Sequence, residues 1–325
     1  MEPFTIPRSS LASLTNKTTL ITGGSSGIGL ATAELLLSLS PTNNVVILDL
    51  QSPSSTSKLL ITSPENAHRT HFHKCNIASW PEQRAGFAAA ISRFGRIDAV
   101  FVNAGIAEYG DQFFNDEMEG KKGGLERFRM LKEPDRRVVD IDLRAAADTL
   151  KLAIYWMRKK VVGMDGKKGG VGSIIMTASL AGYLADGGAP AYSAAKHGIV
   201  GLLRSLKNDV AKLNIALSVV APAITLTPII TSSGRKTRTS SDPAEWAASM
   251  MERGLAINKP ETVALAVAHL INIGMQANGQ GLLLQKDMMV DVERGLAKSR
   301  EVWMGKEMLA WFKGGSNALK AQSKL

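Results

Sequence analysis

A tyrosine and a lysine four residues apart have the types and spacing for acid–base chemistry. Tyr192 and Lys196 belong to the stretch YSAAK, which follows Pro190 and has helical spacing. Proline favours the first turn of a helix, and residues four apart share one face, so the two side chains should be neighbours. A free phenol is a poor base at neutral pH, but an adjacent ammonium favours its phenolate form. Tyr192 is therefore a candidate general base, and Ser179, at the end of a predicted strand, a candidate hydrogen-bonding partner for a substrate oxygen.

Three glycines mark a second site, in the stretch TGGSSGIG, where an apolar run gives way to a helical pattern. Gly23 permits a tight turn, while Gly27 and Gly29 let a ligand and the sheet approach the backbone closely. The helix that follows directs its positive amino-terminal end at a pyrophosphate. Asp49 stands twenty residues after Gly29, at the end of the second predicted strand, where a carboxylate can accept both ribose hydroxyls of an adenosine.

The same carboxylate predicts the choice of cofactor. Asp49 would repel a 2′-phosphate, and the neighbouring positions supply no arginine or lysine to offset it: they are Ser25, Ser26, Leu50 and Gln51. We therefore predict NAD, not NADP, as the cofactor.

The elements that must position these residues alternate along the chain. Short apolar runs predict strands at 20–22, 45–48, 99–102, 173–177 and 216–220, and helical patterns lie between them. Strict alternation predicts an α/β fold, a Rossmann-type doubly wound parallel sheet in a single domain. We place an amino-terminal extension at 1–16, the Rossmann-type domain at 17–294, and a carboxyl-terminal helix with a flexible tail at 295–325.

Two irregular stretches, 107–134 and 222–243, exceed the usual loop length. Such loops lie beside the carboxyl ends of strands, where these folds place substrates. The second stretch is the predicted substrate loop, whereas the first is either an insertion without a site role or part of the site. Apolar residues in the second loop and its helix indicate a lipophilic substrate: Ile229, Ile230, Trp246, Met250 and Met251.

The composition of the chain limits the classes of partner that we expect. The formal net charge is +10, but the basic residues are scattered among acidic ones without interleaved aromatic residues, so we expect a solvated surface and no nucleic-acid partner. No apolar segment approaches membrane-spanning length, and a single cysteine, Cys75, allows no intramolecular disulfide. His71, His73 and Cys75 share one face of a strand, but we interpret them as part of the cofactor-binding edge and predict no metal.

The glycine spacing resembles that of the short-chain dehydrogenase/reductase family, and the resemblance extends over 17–291. VNAGI at 102–106 is similar to the family motif beneath the cofactor, TASLAGY and YSAAK to its catalytic segments, and APAITLTP to its P-G-x-x-x-T segment. The sequence is most similar to NAD-dependent hydroxyprostaglandin dehydrogenases and their fungal relatives. Where the prostaglandin enzymes carry a glutamine pair, however, this chain has Gly188 and Ala189, so a prostaglandin-like substrate is not implied.

The resemblance implies a division of labour among the site residues. Tyr192 would take the hydroxyl proton, Ser179 would orient the substrate, and Lys196 would bind the ribose and tune Tyr192, while hydride passes to the nicotinamide. It also implies a homodimer or homotetramer, formed through the two long helices after Arg136 and Pro190. The cofactor-binding residues it implies are Gly23, Ser25, Ser26, Gly27, Ile28, Gly29, Asp49, Leu50, Asn76, Ile77, Asn103, Ala104, Gly105, Tyr192, Lys196, Pro222, Ile224 and Thr227.

Three positions depart from the family pattern. The fourth catalytic position, an asparagine in the family, is Asp142, an acceptor-only group that adds negative charge near Lys196. Asn76 replaces the family aspartate after the third strand, and its amide can still pair with adenine. Ala223 replaces the glycine of the P-G pair, and neither change should abolish cofactor binding.

The sequence is compatible with three functions. The first is NAD-dependent oxidation of a secondary alcohol on a lipophilic molecule, such as a fatty-acid derivative or a terpenoid or polyketide metabolite. The second is a 3-hydroxyacyl-CoA dehydrogenase, for which GRKTR at 234–238 offers three cations to the CoA phosphates. The third is a non-catalytic nucleotide-binding scaffold, which only Asp142 favours.

The chain ends in Ser323, Lys324 and Leu325, and S-K-L at a carboxyl terminus is an address for peroxisomal import. We predict that a fluorescent protein fused to the amino terminus gives punctate peroxisomal signal, through an import receptor that binds these three residues. Deleting them should make the signal diffuse. Diffuse signal from the intact fusion, in cells with working import, would instead support the alternative location, the cytoplasm.

Overall fold

Short apolar segments form the strands of one central sheet. The computed structural model describes residues 2–53, 63–114, 132–158, 172–184, 188–232 and 243–322, with the backbone alone at 231–232, 243–244 and 316–322. Within these residues the strands are β1 Thr18–Thr22, β2 Asn44–Asp49, β3 Thr70–Lys74, β4 Ala99–Val102, β5 Gly172–Thr177, β6 Ile215–Pro222, β7 Gly281–Gln285 and β8 Met288–Asp291. Their order across the sheet is β3-β2-β1-β4-β5-β6-β7-β8.

The sheet is parallel from β3 to β7, which confirms the predicted doubly wound α/β fold. The order reverses direction between β1 and β4, and a ligand crevice opens at such a switch point in this architecture. The sequence analysis did not predict β7 and β8. β8 runs antiparallel to β7, after a tight turn in which Lys286 and Asp287 both have positive φ.

Helices cover both faces of the sheet. They are α1 Gly27–Leu39, α2 Trp80–Phe94, α3 Arg137–Val139, α4 Ala146–Arg158, α5 Pro190–Ala211, α6 Pro228–Ser232, α7 Pro243–Glu252, α8 Pro260–Asn272, α9 Val292–Lys298, α10 Arg300–Met304 and α11 Lys306–Gln322. A π-helical turn, Asp140–Ala145, joins α3 to α4. No helix among the described residues is both long and apolar enough to cross a membrane.

Alternating strand residues divide the core into two layers. Leu20 and Ile21 are neighbours in β1 and both fully buried, yet they belong to opposite layers because successive side chains point to opposite faces of a strand. Leu20 packs in the layer that α2, α4 and α5 cover, and Ile21 in the layer that α1 and α8 cover. This sandwich fixes α1 and α5, whose first turns lie at the site.

The two ends of the chain are part of the same structure. Leu11 and Leu14, within the predicted amino-terminal extension, are buried in the layer of α1 and α8. Phe4 pairs with Met289 of β8 through two backbone hydrogen bonds of 2.9 Å. At the other end, α11 continues through Gly314 and Gly315. Each glycine disfavours a helix by only about 1 kcal/mol, too little to end it.

Candidate functional site

A cleft of ≈ 990 Å³ lies at the carboxyl ends of β1, β2, β4, β5 and β6. Nearly all the catalytic and cofactor-binding residues that the sequence predicted line it, and the exceptions among them are Ser25, before α1, and Gly29, in its first turn. The predicted residues that line the cleft are Gly23, Ser26, Gly27, Ile28, Asp49, Leu50, Asn76, Ile77, Asn103, Ala104, Gly105, Asp142, Ser179, Tyr192, Lys196, Pro222, Ile224 and Thr227.

The turn between β1 and α1 has no room for side chains at its glycines. A Cβ on Gly29 would lie 2.1 Å from the carbonyl oxygen of Gly23, and a Cβ on Gly23 would lie 2.8 Å from the Cα of Ala104. Ser26, which precedes α1, makes no capping hydrogen bond through its side chain. A close backbone surface and a helix amino terminus without a side-chain cap fit the pyrophosphate of a dinucleotide.

Asp49 is fixed at the adenosine end of the cleft. Its Oδ2 accepts a hydrogen bond of 3.0 Å from the backbone N–H of Ser25, and its Oδ1 accepts one of 2.7 Å from that of Leu50. The carboxylate thus joins the end of β2 to the glycine turn. These bonds leave it with further lone pairs for ribose hydroxyls, because an ionised carboxylate accepts about four hydrogen bonds.

The adenine side of the cleft follows β3. Asn76 lies there, and its Oδ1 accepts a hydrogen bond from the N–H of Ala78, so the amide group it can offer an adenine is the donor NH2. Burial, with smaller contributions from Glu82 and Asp49, raises the pKa of the Cys75 thiol to about 12, which leaves it protonated. Among the described residues no group of three or more His, Cys, Asp or Glu side chains is arranged to hold a metal ion.

Asn103 connects the glycine turn to the catalytic side of the cleft. Its Nδ2 donates to the carbonyl oxygens of Thr22 and Gly23, at 3.2 and 3.1 Å. Its Oδ1 accepts a hydrogen bond of 3.3 Å from the hydroxyl of Thr177, at the end of β5. The amide therefore holds β1, β4 and β5 together beneath the cofactor position.

Tyr192 and Lys196 are neighbours, as their spacing predicted, and Ser179 lines the same cleft. The Nζ of Lys196 lies 5.3 Å from the centre of the Tyr192 ring and donates to the carbonyl oxygen of Thr177 at 3.1 Å. The Oγ of Ser179 accepts a hydrogen bond of 3.2 Å from the N–H of Ala181, which begins the short turn after β5. A candidate base, a cation beside it and a hydroxyl thus line one cleft.

Asp142 forms a buried ion pair with Lys196. The distance from its Oδ2 to the lysine Nζ is 3.0 Å, and its Oδ1 accepts a hydrogen bond of 2.8 Å from the N–H of Ile106. Burial alone lowers the pKa of Lys196, but the charge of Asp142, together with Tyr192, more than offsets this, so that the pKa is raised. Lys196 is therefore a fixed cation whose charge Asp142 partly neutralises.

The sequence analysis missed one residue on this wall, Glu108. Its Oε2 accepts a hydrogen bond of 2.9 Å from the backbone N–H of Tyr192, 84 positions away. Its Oε1 is buried and accepts no hydrogen bond from the described residues. No local signal marks Glu108, because its partner is brought to it only by the folded sheet.

The outer part of the cleft is apolar. Four of the five residues predicted to face a lipophilic substrate line it: Ile229, Ile230, Trp246 and Met250. The fifth, Met251, is half exposed and lies outside the lining, because it follows Met250 on α7 and points to another side of that helix. Ala189 lines the cleft, but Gly188 does not. The cations of 234–238 lie outside the described residues.

Comparisons with known proteins agree with this architecture. A family model described as short chain dehydrogenase matches residues 17–238. The chain is 30% identical to the short-chain dehydrogenase/reductase prx4 of Penicillium roqueforti, over 94% of this chain and 85% of that protein. It is 31% identical to the 3-hydroxyacyl-CoA dehydrogenase type-2 of Homo sapiens, over 66% of this chain and 75% of that protein. The solved structure of levodione reductase matches 84% of this chain and 97% of its own, with a TM-score of 0.65 at 25% identity.

The ion pair between Lys196 and Asp142 leads to a prediction about how the reaction rate depends on pH. Asp142→Asn removes the charge that raises the pKa of Lys196, while burial, which lowers this pKa, remains, so the alkaline limb of the pH–rate profile should move to lower pH. The amide oxygen can still accept the Ile106 N–H, so the variant should remain folded and active.

Asp140→Asn is the matched control for this measurement. Asp140 lies on the same π-helical turn but pairs with Arg144 at the surface, and its removal should leave the profile unchanged. An alkaline limb at unchanged or higher pH in Asp142→Asn would contradict the role of Asp142 in raising the pKa of Lys196.

Proposed function

Because the chain belongs to the short-chain dehydrogenase/reductase family and is an oxidoreductase acting on CH–OH groups, we propose that it uses NAD and interconverts a secondary alcohol and a ketone on a lipophilic molecule. The observation that carries this proposal is the course of one cleft, from Asp49 past Tyr192, Lys196 and Ser179 to an apolar mouth.

The residues fit a nicotinamide dinucleotide. The glycine turn would lie under the pyrophosphate, where a Cβ on Gly29 would have no room, and Asp49 would accept the adenosine ribose hydroxyls. Lys196 would donate to the nicotinamide ribose from the catalytic wall. When bound, the nicotinamide supplies the acceptor or donor of hydride.

The chain's own residues would handle the proton and the substrate oxygen. In the oxidation direction, Tyr192 takes the proton of the substrate hydroxyl while the carbon gives up hydride. The hydroxyl of Ser179 donates a hydrogen bond to the same oxygen and so holds it during the change in charge. Lys196 lies beside the Tyr192 ring as a cation, and Asp142 shares the lysine charge.

The apolar lining supports the lipophilic substrate. Ile229 and Ile230 come from α6, and Trp246 and Met250 from α7, so two helices of one loop face the reacting position. A fatty-acid derivative or a terpenoid or polyketide metabolite has the apolar surface that such a wall buries. Formation of NADH across a panel of such alcohols, followed by absorbance, tests the proposal.

A second candidate is a 3-hydroxyacyl-CoA dehydrogenase, because a relative of 31% identity carries that name. The panel should therefore pair each hydroxyacyl-CoA with its N-acetylcysteamine thioester, which lacks the CoA phosphates. A preference for the CoA form by more than about tenfold, or about 1.4 kcal/mol, would favour this candidate. A third candidate is a non-catalytic scaffold. This candidate is supported if the wild type turns over no substrate but Asp142→Asn does.

We also propose that the protein is imported into peroxisomes and that it forms a homo-oligomer. The residues that suggest peroxisomal import, 323–325, lie outside the described part of the chain. A homo-oligomer through α4 and α5 is proposed from the family resemblance.

We predict that the wild type binds NAD more tightly than NADP, because the Asp49 carboxylate repels a 2′-phosphate. Asp49→Asn keeps an oxygen for the Ser25 N–H but removes the charge, and it should narrow the preference by about tenfold. Calorimetry with both cofactors measures the ratio of the NADP and NAD dissociation constants. A wild-type preference for NADP would overturn the assignment.

We also predict that Tyr192→Phe lowers kcat by about 10²-fold or more, because it removes the proton acceptor. Binding of NADH should stay within about twofold, since the hydroxyl acts on the substrate. Tyr155→Phe on α4, outside the cleft lining, is the matched control and should keep full turnover. Near-normal turnover in Tyr192→Phe would exclude the mechanism.

A further inference from the structure

The helix that carries Tyr192 has an unusual amino terminus. The first turn of a helix leaves backbone N–H groups without partners, and a serine, threonine, aspartate or asparagine just before the helix commonly accepts one of them. Helix α5 is instead preceded by Ala189, which has no side-chain acceptor to offer. Glu108 takes this role from the loop after β4, through its bond to the N–H of Tyr192. The catalytic helix is therefore capped from a distant part of the chain.

The loop that carries Glu108 is attached at three points around the cleft. Asn103 bonds to the carbonyl oxygen of Gly23 at the glycine turn, and the N–H of Ile106 bonds to Asp142 on the π-helical turn. Glu108 then bonds to the first turn of α5 at 2.9 Å. A short segment, 103–108, thus fixes the cofactor turn, the buried ion pair and the catalytic helix relative to one another.

The second carboxylate oxygen of Glu108 indicates that this residue does more than stabilise the fold. Oε1 is buried and accepts no hydrogen bond from the described residues, and an unpartnered buried oxygen lowers stability. A residue kept only to stabilise the fold would not leave such an atom. A carboxylate at this position is nevertheless favourable for the helix terminus, because the positive end of the helix dipole lies there.

We propose that Glu108 is a positioning residue for the reaction: it fixes the first turn of α5 so that the Tyr192 hydroxyl meets the substrate oxygen. The role of Tyr192 in this statement rests on the proposed function. Glu108 lines the cleft, but the role proposed for it is to set the position of Tyr192. It acts through the backbone of Tyr192 and sets the place of the base relative to the glycine turn.

Three variants test the proposal. Glu108→Gln keeps an oxygen of the same reach, whereas Glu108→Ala removes the acceptor. Asp291→Ala is the matched control, because Asp291 is a carboxylate that caps α9 through the N–H of Arg294 at 3.1 Å, outside the cleft lining. All three are compared in the full-length chain by thermal unfolding, NADH binding and steady-state kinetics.

We expect Glu108→Ala to lower kcat by about 10- to 100-fold, because a small displacement of a reacting group has that effect. KM and the NADH dissociation constant should stay within about twofold. Glu108→Gln should restore kcat to within about threefold of the wild type. Asp291→Ala should lower the unfolding temperature without changing kcat. In a Tyr192→Phe background, Glu108→Ala should have no further effect, since both changes act on one group.

Hydrogen exchange provides a readout that does not need turnover. The amides at the start of α5 should exchange at least about tenfold faster in Glu108→Ala than in the wild type, and Glu108→Gln should keep most of their protection. Unchanged exchange in Glu108→Ala would overturn the proposal even if the wild type has no detectable activity. Faster exchange with a wild-type kcat in an active enzyme would also overturn it and leave the proposed function standing.

Discussion

The ion pair between Lys196 and Asp142 is the constraint on which the rest of the site depends. The two side chains are only 4% and 1% exposed, and a buried charge is tolerated only when it is paired and hydrogen-bonded. Each bond that satisfies the pair therefore fixes another element. The carbonyl oxygen of Thr177 binds β5 to Lys196, and the N–H of Ile106 binds the loop after β4 to Asp142.

The pair also explains local features that are otherwise unrelated. A Cβ on Gly105 would lie 2.8 Å from Asp142 Oδ2, so a side chain at that position would displace the carboxylate. Asp142 lies on a π-helical turn, a form that is rare and often marks functional sites. With an aspartate at this position, the site holds a paired cation.

Much of the fold and of the candidate site could be predicted from the sequence, because the motifs that indicate them are local. The glycine turn, the carboxylate after β2 and the spacing of Tyr192 and Lys196 each depend on a few neighbouring residues. What sequence reasoning missed depends on distant contacts. Glu108 caps a helix 84 positions away, and the turn between β7 and β8 uses Lys286 and Asp287 at positive φ, without the Asn-Gly or Asp-Gly pair that marks such turns.

The pairing of Phe4 with Met289 has a consequence for how the protein is made. The two residues lie far apart along the chain, and β8 completes the sheet edge that the amino-terminal segment joins. During synthesis the segment has no partner until β8 has left the ribosome. Contacts between such remote parts slow folding, because the loop entropy must be lost before the contact forms. The pairing of the amino-terminal segment is thus expected to be a late step of folding, and until β8 is in place the edge of β7 stays open to wrong pairing or to a chaperone.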